Sequence, residues 1–246
     1  MKYLITGGAG FIGSHLIKKL LSENHLVICI DNLSSGNKVN IKEFLNHPNF
    51  SFLNHNIIEP LEIETEGIWH FACPASPKFY TKNPIETSKI NFLGTYNMLE
   101  LAKKNKAGFL FASSSEVYGN PERHPQDKSY YGSVNTLGHR SCYVEGKRIA
   151  ESLCFNYQKS YNLDIKIARI FNTYGPNMMP NDGRVISNFI SKAILNKPLL
   201  IYGTGEQTRS FCYVDDLIKG LISLFNSSCN QVINLGNPNQ EISINQ

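Results

Sequence analysis

Three observations in the sequence predict an α/β fold built as a doubly wound parallel sheet. Short β-rich runs alternate with longer amphipathic stretches over the first two thirds of the chain. A glycine-rich turn follows the first of these runs and opens the first amphipathic stretch, and an acidic residue, Asp31, closes the second run. Alternation of this kind places helices on both faces of a parallel sheet. At 246 residues the chain is long enough for one such domain with a small lobe attached.

The elements follow in order. "KYLIT" is the first strand, and 11–22 the first helix, with Phe11, Ile12, Leu16, Ile17, Leu20 and Leu21 on one side. "LVICID" is the second strand, followed by a polar loop and an amphipathic stretch at 39–46. "FSFLN" and "GIWHFA" are strands, and 85–104 is a helix. "GFLFASS" precedes a helix at 143–160, and "DIKIARI" precedes another at 185–196. From about residue 172 the alternation weakens, and Pro176, Pro180, Gly183, Gly203 and Gly205 mark loops. The expected organisation is therefore a Rossmann-type nucleotide-binding unit over 1–171. Residues 172–246 are expected to form a small C-terminal substrate lobe interleaved with the last elements of the sheet.

Composition narrows the function classes. Hydrophobic residues make up 41% and charged residues 18%, which suits a folded globular chain. No run of 18 apolar residues is present, and Met1 leads straight into a strand, so a soluble, cytoplasmic protein with no membrane partner is expected. The net charge of +4 is dispersed rather than gathered into a stripe, which argues against nucleic acid and suits an anionic small molecule. Cys29, Cys73, Cys142, Cys154, Cys212 and Cys229 form no CxxC pair, so neither a metal site nor a disulfide framework is expected.

Ligands of such sheets bind beyond the carboxyl ends of the strands, here Thr6–Gly13, Asp31, Ala72–Pro77, Ser113–Glu116 and Asn172–Gly175. In "TGGAGFIGSHL", Gly7, Gly10 and Gly13 let the backbone turn tightly and approach a pyrophosphate, while the helix N-terminus supplies N–H donors. Asp31 stands where a carboxylate would accept hydrogen bonds from a ribose. It would repel a 2′-phosphate, and "NLSSG" follows it in place of an arginine, so the expected cofactor is NAD.

"SCYVEGKR" sets Tyr143 and Lys147 one helical turn apart on one face. Alone this pattern is weak. Beside a dinucleotide fingerprint and a strand ending in Ser113, Ser114 and Ser115 it reads as a hydride-transfer centre. To act as a base near neutral pH, the Tyr143 phenol must fall roughly 3 units from its usual value near 10, with Lys147 and the positive nicotinamide as the expected sources. Ser114 or Ser115 would hydrogen-bond the same substrate oxygen.

These residues, with "ACPASP", "SSSEVYG", "GHRSCYVEGKR", "ARIFNTYGP", "NDGRVISNFI" and "QTRSFCYVDDL", give the chain its resemblance to a known family. It resembles the extended short-chain dehydrogenase/reductases of the NAD-dependent epimerase/dehydratase family that act on nucleotide sugars, and within them the enzymes that decarboxylate UDP-glucuronate. The resemblance implies a UDP-sugar substrate whose C4 hydroxyl is oxidised to a ketone. A 4,6-dehydratase then needs an aspartate to protonate the leaving C6 hydroxyl, and Ser115 stands in that place. A substrate with a carboxylate at C6 needs no such acid, since its 4-keto form loses carbon dioxide. Ser115 and Glu116 suit that route, with Glu116 orienting the chemistry at C5 or, alternatively, bonding backbone amides at the strand end.

By the same resemblance, Asn32, Ser35 and Gly36 belong to the cofactor site and Asn56 and Ile57 lie beside the adenine, although the family usually has aspartate at the first of these. Phe71, Cys73, Ala112, Thr173 and Arg184 line the dinucleotide. Tyr80 flanks the sugar, Lys89 and Asn97 point towards the sugar nucleotide, and Asn172 and Arg209 meet the diphosphate. Helices 85–104 and 143–160 pair across a two-fold axis in a homodimer. Val144 also departs from the acidic residue common there. In the family the chain continues beyond "NLGNPNQEISINQ", so the expectation is a shortened substrate lobe with NAD binding intact. The alternatives are a nucleotide-sugar 4-epimerase or 4,6-dehydratase, and a catalytically impaired NAD-binding remnant.

Overall fold

A computed structural model describes residues 1–180 and 182–246; Asn181, the first residue of "NDGRVISNFI", lies outside the described residues. In chain order the first elements are β1 (Lys2–Thr6), α1 (Phe11–Ser22), β2 (Leu26–Asp31), β3 (Phe50–Asn54) and β4 (Gly67–His70). Next come α2 (Pro77–Tyr80), α3 (Pro84–Lys89), α4 (Thr95–Asn105), β5 (Gly108–Ser114), α5 (Ser141–Tyr161) and β6 (Ile165–Ile170). The remainder comprises β7 (Thr173–Tyr174), α6 (Val185–Ile194), β8 (Thr208–Ser210), β9 (Cys212–Tyr213), α7 (Val214–Phe225), β10 (Ile233–Leu235) and β11 (Glu241–Ser243).

Seven strands form one parallel sheet in the order β10-β6-β5-β4-β1-β2-β3. The chain enters at β1 and winds outward in both directions, so a crevice opens where the winding reverses, beyond the ends of β1 and β4. The strands are apolar on both sides because both faces are covered. Tyr3, Ile5, Trp69 and Leu110 pack under α1 and α7, where Leu16, Leu20, Leu217 and Leu221 meet them. Leu4, Ile68, Phe109 and Phe111 point the other way, against Met98, Leu99, Ala150 and Cys154 of α4 and α5. Successive residues of one strand thus feed two separate cores, as the two-residue period of a strand requires.

Several expectations need correction. The stretch expected at 39–46 is a short 3-10 turn, Lys38–Phe44, started by Asn37, whose side chain accepts from the Val39 N–H at 3.0 Å. The helix expected at 85–104 runs through a π turn, Ile90–Gly94, between α3 and α4, which shifts the phase of every residue after it. The sequence reading named no helix at 214–225 and no strand at 233–235. Both complete the main sheet: α7 closes the core over α1, and β10 pairs with β6. The amphipathic pattern of "VDDLIKGLISLF" carried that signal. Two small two-stranded sheets, β11 with β8 and β7 with β9, tie the loops of the last third together.

Candidate active site

A cleft of about 460 Å³ runs along the carboxyl ends of the strands, from the turn after β1 to the start of α5. Its first wall is backbone. Gly7 has φ +70 and donates to the Ile30 carbonyl at 2.7 Å, folding the turn back over β2. A Cβ at Gly7 would stand 2.8 Å from the Ala72 nitrogen, so the turn after β1 and the segment after β4 touch only because residue 7 has no side chain. No side chain caps α1, which leaves the first-turn N–H groups of Phe11, Ile12 and Gly13 for a ligand, and all three residues line the cleft with Gly10.

Asp31 is buried at the end of β2. Its carboxylate accepts from the Ala9 N–H at 3.0 Å and the Leu33 N–H at 2.8 Å. Burial pushes its pKa up, and the two backbone hydrogen bonds pull it back. A Cβ at Gly36 would sit 2.8 Å from both carboxylate oxygens, so a glycine there keeps Asp31 within reach of the cleft. Asn32, Ser35, Asn56 and Ile57 stand around this end, and Phe71, Cys73, Ala112 and Thr173 continue the wall inward. A backbone cradle that a side chain would fill, an uncapped helix start and a carboxylate on the cleft wall fit a dinucleotide.

The second end is made of side chains from β5, the turn after it and α5. Lys147 is buried, and its ammonium donates to the Ala112 carbonyl at 2.8 Å, 5.9 Å from the centre of the Tyr143 ring and 4.8 Å from that of Phe111. Burial pushes the Lys147 amine down. Tyr143 is buried as well, and burial, with Cys73 next in weight, pushes its phenol up; a hydrogen bond with Ser114 and the Arg184 charge act the other way. The fall expected for Tyr143 is therefore not produced by the protein groups alone, because desolvation outweighs them. Ser114 also accepts from the Glu116 N–H at 3.2 Å, fixing the turn in which Ser115 and Glu116 stand.

Behind this end a polar network anchors α5 to the sheet. Arg169 on β6 holds Glu151 through two bonds of 3.0 and 2.8 Å, and the Ser113 hydroxyl donates to the same carboxylate at 2.5 Å. Tyr118 joins Arg169 to Asn234 on β10, so the strand missed in the sequence helps to fix α5.

Sequence reasoning also missed Arg140, whose Nη2 lies 2.6 Å from a Glu116 carboxylate oxygen and whose Nε donates to the Tyr80 hydroxyl at 2.8 Å. The clue was its place in "GHRSCYVEGKR", just before Tyr143. Ser114, Ser115, Glu116, Asn172, Arg184 and Arg209 all line the cleft, and Arg184 is paired with Asp182.

Three expected substrate residues do not reach it. Tyr80 is fully buried, its ring stacked on that of Tyr143 at 4.9 Å and 8°, so it backs the site. Asn97 spends its amide on the Ile57 and Ile58 carbonyls at 3.0 and 2.9 Å, holding the loop after β3. Lys89, at the end of α3, is exposed and outside the cleft wall, and the π turn that follows it breaks the common helix face it was expected to share with Asn97.

Comparison with known proteins places this geometry. The model of the NAD dependent epimerase/dehydratase family matches residues 3–236. UDP-glucuronic acid decarboxylase 1 of Xenopus tropicalis is 54% identical over 245 residues, 100% of this chain and 58% of that protein. UDP-glucuronic acid decarboxylase 3 of Arabidopsis thaliana is 53% identical over 241 residues, 98% of this chain and 70% of that protein. The chain thus spans somewhat over half of the first relative's length. Among solved structures, UDP-glucose 4-epimerase from Thermotoga maritima, crystallised with UDP-glucose, superposes with a TM-score of 0.90 at 30% identity, over 100% of this chain and 80% of that one. dTDP-glucose 4,6-dehydratase from Streptomyces venezuelae, with NAD and TYD bound, gives a TM-score of 0.88 at 26% identity, over 100% and 78%. Fold, cleft and the family model agree along nearly the whole chain, which belongs to the NAD-dependent epimerase/dehydratase family.

Proposed function

We propose that this chain carries the NAD-binding and catalytic machinery of an enzyme that decarboxylates UDP-glucuronic acid to UDP-xylose. The observation that carries the reading is the 54% identity to a UDP-glucuronic acid decarboxylase over the whole chain. Ser115 and Glu116 support it, standing together on the cleft wall where a dehydratase would need an aspartate. Residues 1–171 hold most of the cofactor site and the catalytic groups, and 172–246 add Thr173 and Arg184 for the dinucleotide and Asn172 and Arg209 for the substrate to the same cleft wall.

Bound NAD would supply the acceptor for a hydride from the sugar C4, its return, and a positive charge in the cleft. The glycine turn and the start of α1 suit its pyrophosphate, and Asp31 suits an unphosphorylated ribose, which favours NAD over NADP. Tyr143 takes the proton of the C4 hydroxyl as the ketone forms, with the positive charge that bound NAD would add opposing the effect of burial on its phenol and Ser114 holding the same oxygen. In the 4-keto acid the bond from C5 to the carboxyl carbon breaks, its electron pair remaining as an enolate. Glu116 orients the delivery of a proton to C5, and Tyr143 returns its proton to the C4 oxygen when the ketone is reduced. Asn172 and Arg209 suit the diphosphate.

A homodimer through α3, α4 and α5 belongs to the same proposal. Ile85 and Tyr96 on α3 and α4, Phe92 on the π turn between them, and Ile149 and Phe155 on α5 are exposed large apolar side chains. The six cysteines are unpaired, which suits the reducing interior of a cytoplasm. No helix among the described residues is long and apolar enough to cross a membrane.

The test is incubation of the purified chain with UDP-glucuronic acid and NAD, following carbon dioxide and sugar nucleotides by mass. Carbon dioxide and UDP-xylose with no net NADH is the expected result. A dehydrated or epimerised product from a neutral sugar nucleotide, with none from UDP-glucuronic acid, would overturn the reading.

A further inference from the structure

We infer that Arg140 is a positioning residue that sets Glu116 and Tyr143 relative to each other, so that proton delivery at C5 and proton exchange at C4 are aligned on one sugar. The inference rests on the decarboxylase reading above.

Three contacts carry it. Arg140 immediately precedes α5, and its carbonyl accepts from the Tyr143 and Val144 N–H groups at 3.1 and 2.9 Å, so its backbone starts the helix that holds the catalytic tyrosine. Its side chain turns back across the cleft, where it is part of the wall, and meets the Glu116 carboxylate at 2.6 Å. The same guanidinium reaches the Tyr80 hydroxyl at 2.8 Å through Nε, and the Tyr80 ring is the flat support against which Tyr143 stacks. One rigid, planar group thus touches the carboxylate assigned to C5 and the support of the phenol assigned to C4.

An ordinary surface ion pair would contribute little, because two long side chains lose freedom for a weak attraction in water. This pair differs because Tyr80 is fully buried and gives the guanidinium a fixed anchor, so the direction of Glu116 is fixed with it. The chemistry also requires a fixed direction. The enolate left by carbon dioxide is protonated on one face of C5, and a carboxylate free to rotate would orient a water over several positions. Lysine could keep the charge but not the geometry, since an ammonium lacks the fork that bonds two partners at a set angle.

The experiment is a mutant cycle on the full chain with Arg140→Gln, Glu116→Gln and the double variant. Each is assayed for UDP-xylose turnover and for release of UDP-4-keto-pentose, the sugar that has lost carbon dioxide without regaining hydride. NAD affinity is titrated by protein fluorescence in every variant. R140Q is expected to lower kcat 10- to 100-fold with KM changed less than 3-fold and NAD affinity unchanged, and to raise the released 4-keto fraction. The double variant is expected to be no slower than E116Q within 3-fold, the mark of a residue acting through its partner.

Losses that multiply in the double variant, or parent-like turnover in R140Q, would overturn the inference while leaving the decarboxylase reading intact. If R140Q loses NAD binding and so fails to fold, Arg140→Lys replaces it in the same cycle and the same non-multiplying result is required. A parent chain that releases no carbon dioxide from UDP-glucuronic acid would overturn the reading and the inference together.

Discussion

At the glycine end of the cleft the wall is main chain: Gly7 folds over β2 and against Ala72, α1 begins without a cap, and Asp31 is held by two N–H groups. At the Tyr143 end the wall is side chain: Lys147 reaches Ala112 and Arg140 reaches Glu116 and Tyr80, while behind the wall Arg169 reaches Glu151. The difference teaches where each end is vulnerable. Main-chain geometry fails when a substitution adds a Cβ or changes φ, whereas a side-chain relay fails when one partner is removed and the fold remains. The first end suits the task common to this NAD-dependent family, binding a dinucleotide. The second suits a task on which members differ.

The largest separation of the two ends is expected from Tyr143→Phe. Turnover should fall about 10²- to 10⁴-fold, the usual contribution of a positioned acid–base group, while NAD affinity measured by titration stays within 2-fold. A large loss of NAD affinity would mean that the two ends are not separable. Gly7→Ala should do the reverse. A Cβ 2.8 Å from the Ala72 nitrogen at φ +70 should cost about 2 to 3 kcal/mol of stability in urea unfolding and at least tenfold in NAD affinity.

A third test concerns what lies beneath the glycine turn. His70 is buried between the Thr6 hydroxyl at 2.7 Å and the Thr95 hydroxyl at 3.1 Å, and Thr6 in turn accepts from the Ala72 N–H. Burial, aided by the Lys147 charge, pushes the His70 pKa down to about 3. Between that value and the ordinary 6.5 the unfolded chain binds the extra proton, so stability rises with pH in this window and is lost as pH falls. From pH 7 to pH 5 the loss should be about 2 kcal/mol in urea titrations. His70→Gln should flatten that part of the profile, and an unchanged slope would assign it to other groups. The smallest effect is expected from Gly203→Ala. Gly203 has the same φ of +70 as Gly7 but nothing within 4 Å of an added Cβ, so only the backbone term of about 1 kcal/mol applies. Equal losses at Gly7 and Gly203 would show that close approach to Ala72 is not what matters.

The glycine end was legible because its parts lie within one strand–turn–helix–strand stretch: Gly7, Gly10 and Gly13 follow at three-residue intervals through the turn and into the helix, and Asp31 closes the next strand. Tyr143 and Lys147 were legible for the same reason, four apart on one helix. That Tyr80, Lys89 and Asn97 stand off the cleft wall was not legible, because their positions depend on contacts between segments. A π turn cannot be read from the eight-residue spacing of two of them, and the stacking of Tyr80 on Tyr143 joins α2 to α5. Arg140 was invisible as a functional residue because its partner Tyr80 lies 60 positions away.

By itself, the sequence determined what local periodicity, turn chemistry and helix spacing can encode: alternating strands and helices, a backbone phosphate cradle with its carboxylate, and a tyrosine and lysine on one face. Only the tertiary structure decided that α7 and β10 complete the sheet, that the Asn97 amide holds the loop after β3, and that Arg140 joins Glu116 to the support of Tyr143. The physical reason is range: periodicity and turn preferences act over a few residues, whereas burial, stacking and ion pairing act through space between segments that only the folded chain brings together.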